Sequence, residues 1–278
     1  LKPIKIPWLL EINNDFLFGL GIYLGEGSRN SHPKITNSQP LIINQAIKFF
    51  KLFNFEQKDL SAWIQLHERS EKKPKRVEKF WIMNADISKD NIKKLRIKKS
   101  TGNAEVEPYG TLHLEVSSIL FELLINRLIK FIPRIILSLP KQEVIWFLQG
   151  AYAGEGNVGI AKSGSVNKIG YTSLRGEERR LIKKLLNKFK INSIENNFGD
   201  INVFGYENIK RLHQLDIFAY HLTRKEKLNN GFNRLIKNHI PYLNKNRILH
   251  LLNTSNNLTV TEIANLLGLS YSSTKKHV

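Results

Sequence analysis

"DFLFGLGIYLGEG" occupies residues 15–27 and "EVIWFLQGAYAGEG" occupies residues 143–156. Both close on Tyr, one variable residue, Gly, Glu and Gly, with the glutamates at positions 26 and 155, an offset of 155 − 26 = 129. A chain of this length holds about one pair of five-residue windows sharing four identities by chance, so the repeat counts only if its surroundings repeat too. Each stretch is apolar on nearly every side, and a helix with no polar face must be buried all round. Each opens on an acidic residue, Asp15 or Glu143, which suits a helix N-terminus. Each ends in glycine, Gly27 or Gly156, which suits the left-handed residue that closes a helix.

Inside both stretches small residues recur four apart: Gly21 and Gly25, then Gly150 and Gly154. Four residues is about one helical turn, so each pair leaves a strip without side chains on one face. Glycine within a helix costs roughly 1 kcal/mol relative to alanine, and close packing of one helix backbone on the other offsets that cost. Downstream the echo continues. "PKITNSQPLIINQAIKFFKLFNF" (33–55) and "KIGYTSLRGEERRLIKKLLNKFKI" (168–191) each read as a strand, a polar turn and an amphipathic helix. "GTLHLEVSSILFELLINRL" (110–128) matches "GDINVFGYENIKRLHQL" (199–215) as an alternating strand running into a helix. The order helix, strands, helix, strands, helix is written twice. The expected fold class is α+β: two pseudo-symmetric αββαββα repeats over 1–132 and 143–240, with "IPRIILSLPKQ" supplying a proline-marked linker over 133–142.

Residues 241–278 depart from this pattern and read as a small helical segment. "YLNKNRILHLLNTSNNLTVTEIANLLGLSYSSTKKHV" has Ala264, Gly268 and Leu269 where a helix-turn-helix needs a small residue, a turn glycine and a core anchor. "SYSSTKKHV" would be its recognition helix, with Lys275 and Lys276 facing DNA and Thr274 standing where an apolar residue is usual.

The 278 residues carry 43 Lys plus Arg against 24 Asp plus Glu, a formal net charge of +19 and a pI near 9.9. Solubility alone asks for a net charge of about 2–8, so this excess points to a polyanion, nucleic acid first. Candidate phosphate contacts are Arg69, Lys72, Lys73, Lys75 and Arg76 in one basic run and Lys94, Arg96 and Lys98 in the next. In the second half they are Lys162, Lys168 and Arg175. There is no cysteine, which excludes disulfides and cysteine-based zinc sites. "LINRLIKFIPRIILSL" (124–139) is broken by Arg127, Lys130, Pro133 and Arg134 and is no membrane span. The first ten residues are too short and too proline-marked for a signal peptide, and an intracellular protein without membrane contact is expected.

Glu26 and Glu155 fall at the C-terminal ends of their helices, where the helix dipole disfavours a carboxylate. If the glycine strips pack together, the two carboxylates also meet, and like charges close together call for a counter-ion. Oxygen ligands of this kind suit Mg²⁺, other divalent cations being alternatives, and a basic protein supplies the phosphodiester for metal-assisted hydrolysis.

"GLGIYLGEG" (19–27) and "LQGAYAGEG" (148–156) resemble the paired motifs of single-chain LAGLIDADG homing endonucleases, over about residues 12–230. Gly19 stands where Leu is usual, and Leu24 where a small or acidic residue is usual. The resemblance implies mutually packed motif helices with Glu26 and Glu155 as catalytic metal ligands, and the carbonyls of Gly25 and Gly154 beside them. It also implies antiparallel sheets forming a saddle over a long, imperfectly palindromic DNA site, and a double-strand cut leaving short 3′ overhangs. Asn37 and Ser173, each after a strand-end threonine, would position water, and Lys141 and Lys227 would be the central basic residues. The expected molecule is a monomer, a pseudo-dimer within one chain. Two rival readings share its scaffold: a catalytically idle DNA-binding regulator, and a maturase holding intron RNA.

Overall fold

The computed structural model describes residues 7, 9–28, 32–99, 106–238, 242–254, 258–275 and 278, with side chains left undescribed at 237–238, 242–246 and 273. The first repeat runs α1 (Asn14–Glu26), β1 (Lys34–Asn37), α2 (Pro40–Lys51), β2 (Leu60–His67), α3 (Pro74–Asn84), β3 (Ile92–Lys98), β4 (Thr111–Val116) and α4 (Ile119–Ser138). The second runs α5 (Lys141–Glu155), β5 (Gly156–Ile160), β6 (Val166–Thr172), α6 (Gly176–Lys188), β7 (Ile194–Glu195), β8 (Asp200–Val203) and α7 (Tyr206–Gln214). Then come α8 (Leu222–Asn238) and a tail of α9 (Tyr242–Thr254), α10 (Val260–Leu267) and α11 (Tyr271–Lys275). The chain is therefore α+β, with a four-stranded sheet in each repeat. None of its described helices is long and apolar enough to cross a membrane.

The sheet orders are β1-β4-β2-β3 and β5-β6-β8-β7. Gly27 bridges Ile35 as Gly156 pairs with Tyr171, and Ile35 faces Leu114 as Tyr171 faces Ile201. So β1, β4 and β2 correspond to β6, β8 and β7, while the strand matching β5 is reduced to the single bridge at Gly27. The second sheet is antiparallel throughout, but the first is not: β3 pairs with β2 in parallel. The cause is an insertion. "HERSEKKPKRVEK" (67–79), which holds the first basic run, turns and then starts α3, with Pro74 in the first helical turn where its missing N–H costs nothing. The helix acts as a crossover and returns the chain in the same direction.

The linker expected over 133–142 also differs. α4 continues through Pro133 to Ser138, and only Leu139 and Pro140 separate it from α5. Ser118 starts α4 by accepting a hydrogen bond from the Phe121 N–H, and burial of Phe121, Ile125, Ile132 and Ile136 along one face holds the helix across the proline. One apolar core extends through both repeats, from Phe16 on α1 to Phe232 on α8. In the tail, Gly268 adopts the left-handed conformation (φ 64°) that turns α10 into α11, and Thr259 and Glu262 form a reciprocal cap at the start of α10. Thr274 is fully buried with its hydroxyl donating to the Ser270 carbonyl, and Leu269 is half-buried. Lys276 lies outside the described residues.

Candidate active site

The site is built where α1 and α5 cross. Asn13 accepts from the Phe16 N–H to start α1, and every residue from Phe16 to Leu24 is buried. The glycine strips face each other at backbone contact. A Cβ at Gly21 would lie 2.2 Å from the Phe147 carbonyl oxygen, and one at Gly150 would lie 2.1 Å from that of Phe18. Farther along, a Cβ at Gly25 would lie 2.9 Å from Glu155 Cγ, and one at Gly154 would lie 3.1 Å from Glu26 Cγ. Each glutamate thus lies across the other helix's last glycine, and the pair shares one small volume. Gly19, the departure from the motif, has a reason of its own: a Cβ there would fall 2.2 Å from the Phe49 ring of α2.

Gly27 and Gly156 are not left-handed, contrary to expectation. Their φ values are −77° and −73°, ordinary extended backbone. What excludes a side chain is the immediate exit into a strand. A Cβ would sit 2.2 Å from the Tyr23 carbonyl oxygen at Gly27 and 2.4 Å from that of Tyr152 at Gly156.

Burial, then the neighbouring Glu155, pushes the Glu26 carboxyl up to about 7, against the opposing pull of Arg224 and of Asn37. Burial likewise raises the Glu155 carboxyl, with Glu178 adding to the shift and Arg224 and Arg175 opposing it. Asn37, at the end of β1, donates its amide to Glu26 at 3.2 Å. Its counterpart Ser173 does not meet Glu155. Its hydroxyl donates instead to Glu178 at 2.7 Å, and Glu178 also takes the Arg175 guanidinium at 3.0 Å. Arg175 is thereby engaged as an ion pair at the start of α6.

The central cation is neither lysine chosen from the sequence. Lys141 is the first residue of α5 and Glu155 the last, about 20 Å apart along the helix. Lys227 is exposed on α8. Arg224, one turn earlier, turns inward and donates through Nη1 to the carbonyls of Tyr152, Ala153 and Gly154 at 3.1, 2.8 and 2.9 Å. These are carbonyls of the last turn of α5, where intrahelical donors run out; the Tyr152 carbonyl also accepts from the Gly156 N–H. Burial lowers the proton affinity of this guanidinium, and Glu26 and Glu155, within electrostatic reach, oppose that shift without cancelling it. The Gly154 carbonyl, expected to be open to a metal, is thus taken by Arg224. His221 accepts from the Arg224 N–H at 3.3 Å, and burial and that arginine push its pKa down to about 3, leaving it neutral.

Two carboxyls held above their ordinary range despite a guanidinium still lack positive charge, and an oxygen-donor pair of that kind fits a hard divalent cation. Among the described residues, no three His, Asp or Glu side chains form a metal cluster. A cation here would rest on the two glutamates, with other oxygens completing its shell.

Of the expected phosphate contacts, Lys94, Arg96 and Lys98 are exposed on β3, and Lys73, Lys75 and Arg76 are exposed at the start of α3. Lys72 lies 5.9 Å from the Tyr109 ring centroid, and Arg69 is exposed in the turn before α3. Lys162 is exposed in the β5–β6 turn, Lys168 half-buried on β6, and Lys275 exposed on α11.

The fold and site define a two-repeat α+β protein with one glutamate from each central helix set against the other. No family model matches the sequence, and no curated protein matches it. Among solved structures, the chain is similar to I-DmoI in complex with DNA and Mn, at 16% identity and a TM-score of 0.42, covering 76% of this chain and 99% of that one. It is also similar to mesophilic variants of the homing endonuclease I-DmoI, at 17% identity and a TM-score of 0.39 over 76% and 98% of the two chains. A third likeness is to full-length DUF199/WhiA from Thermatoga maritima, at 10% identity and a TM-score of 0.43 over 98% and 91%.

Proposed function

We propose that this protein is a monomeric, intracellular, site-specific DNA endonuclease that makes a divalent-metal-dependent double-strand cut. The observation that carries the reading is the glutamate pair. Two like charges pressed together at the negative ends of two helices are a poor choice for stability, and a phosphodiester-cleaving centre is a use that repays it. Glu26 and Glu155 are the residues that would hold a divalent cation such as Mg²⁺, which when bound supplies Lewis-acid chemistry for phosphodiester hydrolysis. The chain's own residues do the rest. Glu26 and Glu155 hold the cation, Asn37 fixes the rotamer of Glu26, and Arg224 ties α8 to the end of α5 and offers positive charge to the scissile phosphate. The basic sheet faces bind the DNA backbone, and the helical tail adds a helix-turn-helix contact.

Arg224 also favours a second reading. With a guanidinium already opposing part of the glutamates' charge and occupying the Gly154 carbonyl, the same scaffold could bind DNA without cutting it. The experiment that separates the two uses the full chain, its coding region's intronless DNA and a panel of random duplexes, with and without Mg²⁺. A single metal-dependent double-strand break supports the endonuclease. Tight, sequence-selective binding with no break under any divalent cation supports the regulator and removes the nuclease reading.

A further inference from the structure

Across the outward face of the first sheet, side chains from four neighbouring strands form one continuous row. Thr36 of β1 lies opposite His113 of β4, with Thr36 Oγ1 and His113 Nδ1 2.8 Å apart. His113 lies opposite Trp63 of β2, and their rings stack at 3.5 Å with an interplanar angle of 5°. On the far side of Trp63, Arg96 of β3 brings its guanidinium carbon to 4.9 Å from the ring centroid, and Lys94 Nζ lies at 5.9 Å. Burial and the nearby Lys34 and Arg96 push the His113 pKa down to about 4, so the ring beside Trp63 is uncharged at neutral pH.

A flexible arginine loses rotamer freedom when it binds, and stacking on an aromatic face removes much of that loss in advance. Arg96 is exposed, and among the described residues no carboxylate pairs with it. Its donors are therefore presented in a fixed plane to whatever covers the sheet. The second sheet has no such row. In register on the corresponding face are Asn157, Lys168, Thr172, Asp200, the buried Asn202 and the exposed Ile194, and Gly170 lies under the Asn157 amide. A mobile lysine suffices to meet a phosphate. A planar guanidinium held by an aromatic ring matches the paired acceptors N7 and O6 of guanine in the major groove.

We propose that Arg96 is a specificity-determining residue that reads a guanine in the half-site under the first repeat, with Trp63 and His113 as positioning residues. The inference rests on the reading that this face docks on duplex DNA. The test is selection from a random double-stranded library by the full chain, by Arg96→Ala, Trp63→Leu and Trp63→Phe, and by Lys98→Ala, each also tested for bulk DNA affinity and melting temperature. The wild type should enrich a site with a G·C pair whose preference falls roughly 5- to 150-fold in Arg96→Ala, other positions being kept. Trp63→Leu should blur the same position, and Trp63→Phe should restore most of it. Lys98→Ala should weaken all sequences alike and lower the salt slope by about one. An Arg96→Ala consensus identical to the wild type's, or one weakened evenly at every position, overturns the inference. If Trp63→Leu does not fold, the Arg96→Ala arm decides. A wild type that enriches a site whose every position survives in Arg96→Ala overturns this inference alone, whereas one that binds DNA but enriches no sequence removes the site specificity of the proposed function as well. One that binds no DNA overturns the proposed function with it.

Discussion

At the scale of single residues, the chemistry is a contest between burial and charge at Glu26 and Glu155. Glu26→Gln or Glu155→Gln should abolish double-strand cleavage while leaving affinity for DNA within a few-fold, because affinity comes from Lys and Arg on phosphates. A nicking assay beside a binding titration checks this, and a single variant cutting both strands at the normal rate refutes the assignment. The raised pKa of Glu26 makes a second claim. The folded carboxyl keeps its proton up to about 7, whereas an unperturbed one releases it near 4.5. Between those values the folded chain binds more protons than the unfolded one, so stability falls as the pH rises through this window. The loss is on the order of 3 kcal/mol. Without divalent cations the melting temperature should therefore drop between pH 5 and pH 8 by more than in Glu26→Gln, and Mg²⁺ at pH 8 should restore it. Equal drops in the two proteins would mean that Glu26 is not the group responsible. The glutamates were legible because their motif is written twice. Arg224 was not, because "TRKEK" (223–227) holds three basic residues within one helical turn, and only packing against α5 decides which turns inward. Ser173 misled for a related reason: its nearest acid is Glu178, at a position occupied by Ile42 in the first repeat.

At the scale of elements, the paired central helices follow from glycine spacing alone, since no other residue lets two backbones touch. Replacing Gly21 or Gly150 even by alanine puts a methyl group about 2.2 Å from a carbonyl oxygen of the facing helix. The helices must part, which costs 1–3 kcal/mol or more and lowers the melting temperature by several degrees. Gly268→Ala is the informative contrast. Nothing lies within 4 Å of its Cβ position, so only the left-handed φ of 64° is penalised, at roughly 1 kcal/mol. A calorimetric scan in which Gly21→Ala melts like the wild type would refute the close packing. Elsewhere local signals lost to tertiary context. Pro133 reads as a break but lies within α4, because Ile132 and Ile136 are buried on either side of it. The parallel β2–β3 pairing was hidden because nothing in "HERSEKKPKRVEK" shows that a helix, and not a hairpin turn, joins those strands.

For the whole molecule, the +19 charge bears on two separate things, the proposed cutting and the holding of DNA. All the candidate chemistry lies before residue 239, on α1, α5, β1 and α8. A chain ending near Pro241 keeps Arg224 and should still cleave at high protein concentration. It should bind more weakly, with a shallower dependence on salt. Loss of Lys275 and Lys276 accounts for about two units of that slope, and the avidity lost with a second DNA module is about 10²–10⁴. Undiminished affinity in the shortened protein would assign the tail to packing or to a different partner. The two-repeat architecture was legible because strand-to-helix order recurs with the motif. The unequal character of the two sheets was not, since Trp63, His113 and Arg96 are 17 or more positions apart in sequence and meet only through strand register.

The edge strand β3 has a colloidal consequence as well. It pairs with β2 on one side and ends the sheet on the other, exposing Lys93, Lys94, Arg96, Ile97 and Lys98. An open strand edge is a template for another chain, and rows of like charge are one way that proteins prevent such pairing. Two copies meeting edge to edge along β3 would bring their cations within about 5 Å of each other, so bare protein at low ionic strength repels its own kind. The Debye length shrinks to about 3 Å in 1 M salt, and that guard fades. Washing such a basic protein free of nucleic acid at high salt thus removes the barrier to self-association as well as the polyanion. Low-salt storage in the presence of duplex DNA should keep it dispersed.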